Sequence, residues 1–276
     1  MSSSSSSPDL HPFDDALQLV PVGEHRFDGR TTPNYWNMIG PFGGITAATM
    51  LQAALQHPER LGDPIALTVN FAGPIAEGPF EIEAVPSRTN RSTQHWTLTV
   101  RQNGAVTTTG SAVFAVRRDT WNSPEAVMPE VPAAETLPSI KGFAPVKWLS
   151  AYDIRAVRGA KPGTTPGTEH PDSITEFWLR DAPARTPDYA AIASWCDSFY
   201  PRIFLKRAGF VPAGTVSLTT YFHADAATLA ALGDQHVLGC ARAQVFRQGF
   251  FDQTAQVWSA AGELLATSHQ IVYYKE

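Results

Sequence analysis

Apolar and polar residues alternate with a period of two along much of this chain, and two stretches interrupt the alternation with apolar residues on every side. The alternating stretches are residues 65–71, 80–89, 93–101 and 106–116, then 175–180, 216–223, 235–246, 251–259 and 264–274. A period of two predicts strands with one buried face. Asn103-Gly104 stands between two of them and predicts a tight hairpin. The first continuous apolar stretch, residues 44–56, opens at Gly40-Pro41-Phe42-Gly43-Gly44 and closes at His57-Pro58. The second, residues 187–200, opens at Thr186-Pro187 and ends or kinks at Pro201. Glycines before the run, threonine as N-cap, proline in the first turn and proline after the end are helix boundaries. A helix that is apolar all round is buried. The chain therefore predicts a buried helix followed by an antiparallel meander, and predicts it twice.

The two copies share sequence as well as pattern. Leu67-Thr68-Val69-Asn70-Phe71 returns as Leu218-Thr219-Thr220-Tyr221-Phe222, 151 residues later. The hairpin glycine Gly104 returns as Gly262, 158 residues later. A repeat of this length means two copies of one half-molecule facing each other. The predicted class is α+β, a tandem (double) hot-dog: two central helices, each wrapped by a curved antiparallel sheet, with the sheets joined edge to edge to remove two open edges. The expected division is a disordered serine-rich tail at 1–13, an N-terminal unit at 14–118, a connector at 119–171 and a C-terminal unit at 172–276. Seven prolines punctuate residues 119–170, with strand character near residues 146–157.

Composition narrows the partners. The 276 residues carry 21 Lys+Arg against 26 Asp+Glu, a formal charge of −5, without a basic block. Nucleic acid and anionic membrane surfaces are not expected partners. The two cysteines, Cys196 and Cys240, lack metal-ligand spacing and read as reduced thiols of a cytoplasmic protein. The serine run at the start has neither basic residues nor an apolar core, so it does not read as a signal peptide. No apolar stretch is long enough to span a bilayer.

Where the copies differ in polar residues, one half holds something the other lacks. Asp197 falls in the apolar run Ile192-Ala193-Ser194-Trp195-Cys196-Asp197-Ser198-Phe199-Tyr200. An acid there is costly to bury without partners and is a candidate for chemistry. Its alternative is a cap on a neighbouring strand, or pairing with Arg202 or Arg207. Gln270 stands eight residues after its turn glycine, where the first copy has Ala112. Its alternative is a solvent-facing strand residue. Thr215, Ser217, Thr219 and Thr220 supply hydroxyls, which in strands are often no more than β-formers. Gly43 and Gly44 leave backbone N–H groups open at the positive end of a helix, where a carbonyl or oxyanion can bind. Alone they are also a tight turn. The glycines are in one copy and the acid in the other, so a site using both lies between the halves. No Gly-x-Ser-x-Gly elbow, His-Glu-x-x-His, P-loop or dinucleotide fingerprint is present.

Taken together, these pieces resemble the double hot-dog acyl-CoA thioesterases, acyl-CoA thioesterase II in particular, over about residues 20–118 and 172–275. The matching pieces are Pro41-Phe42-Gly43-Gly44, Gln102-Asn103-Gly104, Asp197 followed by Pro201, Tyr221-Phe222-His223, and the run from Gly262 to Gln270. The resemblance implies that Asp197, a hydroxyl and Gln270 orient a water. By position the hydroxyl is Thr215, with Ser217 or Thr219 fitting after a small change of register. The chain departs from the family in two places: Ser217-Leu218 stands where thioesterase II has Asp-His, and Ile45 follows the glycines in place of Gln. The implied function is hydrolysis of an acyl-CoA, its chain in an apolar tunnel between the helices, with oxyanion contacts near Gly43 and Gly44. No metal or cofactor is expected beyond the CoA of the substrate. Homo-oligomers of double hot-dog chains are compatible with this reading. The competing functions are a non-catalytic acyl-CoA binder and a hot-dog hydratase or dehydratase. The latter needs an Asp/His pair at a helix start, which neither helix shows.

Overall fold

The computed structural model describes residues 10–140, 142, 146–159, 169–207 and 209–275. The first half contains α1 (Pro12–Ala16), β1 (Val20–Pro21), β2 (Arg26–Arg30), α2 (Gly43–Leu55), β3 (Asp63–Phe71), β4 (Pro79–Thr89), β5 (Thr93–Gln102) and β6 (Ala105–Ala115). The second contains β7 (Tyr152–Arg158), β8 (Thr175–Asp181), α3 (Tyr189–Trp195), α4 (Arg202–Lys206), β9 (Ala213–Phe222), α5 (Ala226–Ala231), β10 (Val237–Arg242), β11 (Phe246–Arg247), β12 (Phe250–Trp258) and β13 (Leu264–Tyr274). Among the described residues all thirteen strands join one antiparallel sheet, in the order β1-β2-β4-β5-β6-β3-β9-β13-β12-β10-β8-β7, with β11 paired to β12.

β3 and β9 join the halves, and they carry the repeated Leu-Thr segment. Thr68 lies opposite Thr219, and their hydroxyls are 3.0 Å apart. These two residues are equivalent under the 151-residue offset. A residue paired with its own equivalent marks the point where a pseudo-two-fold axis crosses the sheet. The paired edges leave neither central strand open to solvent pairing. At the β5–β6 hairpin, Asn103 and Gly104 both have positive φ (51° and 79°), as a two-residue turn of this type requires.

α2 packs against β4, β5 and α3. Ten of its thirteen residues are buried, which is why its sequence shows no polar face. One apolar core runs through both halves and includes Phe13, Leu51, Trp96, Trp195 and Ala266.

Four boundaries differ from the sequence-based expectation. α1 begins inside the segment read as a tail, and its Phe13 is fully buried; residues 1–9 lie outside the described residues. β7 lies within the segment read as a connector but pairs with β8, so it belongs to the second half of the sheet. The Pro/Gly/Thr-rich stretch 161–168 lies outside the described residues. The second helix is shorter than residues 187–200: α3 is capped by Asp188, whose side chain accepts the Ala191 N–H at 2.8 Å, rather than by Thr186. It ends at Trp195, and Pro201 then serves as the N-cap of the separate α4.

Candidate active site

The early end of α3 places Asp197 in a turn beyond the helix, not on a helix face. Its backbone N–H reaches the Ser194 carbonyl at 3.1 Å. The side chain is partly buried and points at β13. There the Gln270 Nε2 donates to Asp197 Oδ1 at 2.9 Å and to the Cys196 carbonyl at 3.3 Å. Thr215 donates its hydroxyl to Gln270 Oε1 at 3.2 Å. With acceptors at one end and a donor at the other, the amide has one consistent orientation. Ser268 adds a hydroxyl bond to the Cys196 carbonyl at 3.4 Å. Gln270 is 3 % exposed, while His269 and Ile271 point outward as strand alternation requires.

The hydroxyl assignment turns on a β-bulge. Along β9, Leu218, Thr220 and Phe222 face the core, so simple alternation would point residues 215, 217 and 219 outward. The β9–β13 register shifts between Ile271 and Val272: Ile271 pairs with Ser217, but Val272 pairs with Thr215. Val216 is the extra residue, and it re-aims Thr215 to the inner face, a common use of bulges beside functional sites. Ser217 stays opposite Asn70, and Thr219 is held on the pseudo-axis by Thr68.

Gly43 and Gly44 open α2 directly against this turn. A Cβ on Gly43 would lie 2.6 Å from Asp197 Oδ2 and 3.2 Å from the Phe71 ring. A Cβ on Gly44 would lie 2.5 Å from the Ser194 carbonyl oxygen. Both glycines are therefore required by the close approach of two helix ends. The Gly44 N–H lies toward the Asp197 carboxylate and favours its ionised form. Burial pushes the Asp197 carboxyl up to about 7, against the opposing pull of the Gln270 hydrogen bond and the Gly44 N–H.

The close approach of Gly44 to the Ser194 carbonyl brings the two helices together at this level. A small cavity lies on another face of α2, lined by Arg30, Thr32, Ile45, Thr49, Ile75 and Val100 among others, with a volume of about 20 Å³. Arg202 does not pair with Asp197. It is fully buried and donates to the carbonyls of Tyr200 and Ser173 and to the Thr175 hydroxyl. Arg207 lies 3.6 Å from Glu169. Sequence reasoning missed the Cys196 carbonyl, a backbone group that no side-chain pattern announces. It also missed Tyr152, Asp181 and Trp195, which brace the turn from behind. Among the described residues, His25, His57 and Glu59 bring ligand-type atoms within 4.8 Å of one another, apart from this site. Both ring nitrogens of His57 already meet backbone groups, the Glu59 N–H at 3.2 Å and the Glu24 carbonyl at 3.1 Å.

No helix among the described residues is long and apolar enough to cross a membrane. Residues 32–115 match the family described as the acyl-CoA thioesterase N-terminal domain, and residues 124–274 match the acyl-CoA thioesterase C-terminal domain. Among curated proteins no match was found. Among solved structures, a conserved protein of unknown function with a hot-dog fold from Alicyclobacillus acidocaldarius is 51% identical, with a TM-score of 0.91 over 97% of this chain and 99% of its own. The tesB protein of Mycobacterium avium subsp. paratuberculosis shares the fold at 20% identity and a TM-score of 0.76, over 96% of this chain and 98% of its own. Acyl-CoA thioesterase II of Mycobacterium marinum does so at 17% identity and a TM-score of 0.76, over 95% and 98%. With a family match across both halves, a shared double hot-dog fold and a carboxylate braced by an amide and a hydroxyl at the seam, the chain belongs to the acyl-CoA thioesterase family and is a thioester hydrolase.

Proposed function

We propose that the chain hydrolyses an acyl-CoA to the free acid and CoA, using a water activated by Asp197. The observation that carries this reading is the Asp197–Gln270–Thr215 chain of hydrogen bonds, set against the N-terminus of α2. Asp197 is the general base. A carboxyl pushed up to about 7 is a much better proton acceptor than an ordinary aspartate, and it is still largely ionised just above neutral pH. Gln270 holds the carboxylate by one end of its amide and is held by Thr215 at the other, and together they position the water.

The water oxygen bonds to the thioester carbonyl carbon while its proton passes to Asp197. Negative charge thus leaves the carboxylate and appears on the carbonyl oxygen. The amides of Gly43 and Gly44, at the positive end of α2, stabilise the oxyanion. Gly44 N–H lies toward Asp197 in the free protein, and the shift of charge frees it for the new oxyanion. Collapse of the intermediate breaks the C–S bond. The CoA sulfur leaves and takes the proton held by Asp197. The thioester is already an activated acyl donor, so the residues present account for each proton transfer.

The test is release of free thiol from a panel of acyl-CoAs, by wild type and by Asp197→Asn. The amide is isosteric and keeps the hydrogen bond to Gln270 after a flip, but it cannot take a proton. Loss of a positioned base costs about 10²- to 10⁴-fold in rate, or about 3–5 kcal/mol of barrier. Binding of acyl-CoA should change little. An unchanged rate in a folded Asp197→Asn protein removes this mechanism; binding of acyl-CoA without turnover by the wild type replaces it with the non-catalytic binder.

A further inference from the structure

The turn that carries Asp197 lies beyond the last helical hydrogen bond of α3, where Cys196 N–H reaches the Ile192 carbonyl at 3.0 Å. Backbone at a helix end frays unless something else holds it. Here the turn hangs on two consecutive residues. The Ser194 carbonyl accepts the Asp197 N–H at 3.1 Å, and the Trp195 carbonyl accepts the Ser198 N–H at 3.1 Å and the Ser198 hydroxyl at 2.7 Å.

The side chains of those same two residues are tied, one each, to the strands behind them. Ser194 Oγ and the Tyr152 hydroxyl are 2.7 Å apart, and Trp195 Nε1 donates to Asp181 Oδ1 at 2.9 Å. Ser194, Trp195, Tyr152 and Asp181 are all at most 3 % exposed, so water does not compete for these bonds. Asp181 is held in turn by Arg185, at 3.4 Å. Arg185 also reaches Asp188, the N-cap of α3, at 2.8 Å, and Asp14 of α1 at 3.0 Å, with its guanidinium over the Phe13 ring. One guanidinium thus links the N-cap of α3, the anchor of its last residue, and the first half of the chain.

We propose that Tyr152 and Asp181 are positioning residues for Asp197, acting through Ser194 and Trp195. The proposal rests on Asp197 being the base. Neither residue touches the reacting atoms. Each fixes one of the two backbone groups from which the carboxylate is suspended, and a small displacement of a reacting group is enough to cost about 10²-fold in rate.

The test is a double-mutant cycle in kcat and KM with an acyl-CoA that the wild type turns over, run well below the Tm of every variant. Tyr152→Phe removes one hydroxyl. It should lower kcat about tenfold or more with KM little changed, and it should leave the residual rate of Asp197→Asn unaltered, because a residue acting through another has nothing left to act on. Asp181→Asn keeps an oxygen for Trp195 and should retain most of kcat, whereas Asp181→Ala should lose it. If Tyr152→Phe or Asp181→Ala fails to fold, Ser194→Ala and Trp195→Phe remove the same hydrogen bonds from the other side. An unchanged kcat for these variants, or the same fractional loss in the wild-type and Asp197→Asn backgrounds, overturns the proposal. A wild-type rate in Asp197→Asn alone overturns the base assignment, and this proposal with it. The single variant therefore reports on the base and the cycle on its positioning.

Discussion

The two seams of this molecule are built from equivalent residues and hold opposite contents. The register of β9 with β13 matches that of β3 with β6, bulge included: Thr215 lies opposite Val272 as Pro64 lies opposite Phe114, and Leu218 lies opposite Gln270 as Leu67 lies opposite Ala112. So Pro64 and Ala112 stand where the working seam has Thr215 and Gln270. The helix starts follow the same rule. Gly43 begins α2 against Phe71, and Tyr189 begins α3 against Phe222, the equivalent phenylalanine, with ring centroids 5.8 Å apart. On one side a glycine leaves room for a carboxylate; on the other a tyrosine ring fills the space. The bulge and the helix contacts occur in both seams, so they belong to the fold. The polar trio and the glycines occur in one, and they belong to the chemistry.

That comparison breaks most sharply at Gly43. Gly43→Ala puts a methyl within 2.6 Å of Asp197 Oδ2, and the carboxylate must move. A displacement of this kind should cost about 10²-fold in kcat. Tyr189→Phe, at the equivalent position in the other seam, should leave kcat unchanged. Steady-state thiol release measures both. Equal losses at the two positions would mean that both seams work.

The next largest contrast is between Gln270 and Ala112. Gln270→Ala should slow turnover by less than the factor of about 10² that marks the lower bound for losing the base itself. Ala112→Gln places an amide at a position that is 1 % exposed, with Met50, Leu67 and Trp96 buried nearby in the same core. The unpartnered amide should cost about 1–3 kcal/mol of stability, seen as a lower Tm, with kcat intact. A loss of kcat in Ala112→Gln would show that the apolar seam is coupled to the reaction.

The repeat, the strands and the buried helices were legible because burial imposes its period on every residue of an element. Leu67 and Leu218 announce equivalent strands, and Ala112 against Gln270 announces the one that differs. The exact end of α3 was not legible, because Cys196, Asp197 and Ser198 continue the apolar pattern without continuing the helix. Nor was the choice of Thr215 over Ser217 and Thr219 legible in the strand pattern, although the family resemblance pointed to Thr215. The choice depends on Val216 being a bulge, and a bulge is a property of two paired strands that neither strand's sequence carries alone. Tyr152 and Asp181 were out of reach for a similar reason: they sit in ordinary strand sequence and gain their role only from where α3 stops.

The subtlest expected difference between the seams is their response to pH. Only the working seam holds a carboxyl raised to about 7, from an ordinary value of 3.8. As base, Asp197 must be ionised, so kcat/KM should fall about tenfold per pH unit below 7 and change only about twofold between pH 7 and 8. Stability should run the other way. Folded Asp197 binds its proton more tightly than unfolded Asp197, so stability is lost as pH rises from about 4 to about 7 and then levels off, opposite to the usual salt-bridged aspartate. Asp181, raised to about 6 by burial, adds a similar loss at slightly lower pH. Subtraction separates them. Asp197→Asn removes the Asp197 contribution and keeps that of Asp181, so the difference in unfolding free energy between variant and wild type should shift toward the variant between pH 4 and 7 and stay flat above. Urea unfolding of both proteins across that range measures it. A difference independent of pH would mean that Asp197 titrates alike in the folded and unfolded chain, and that the acid limb of kcat/KM belongs to another group.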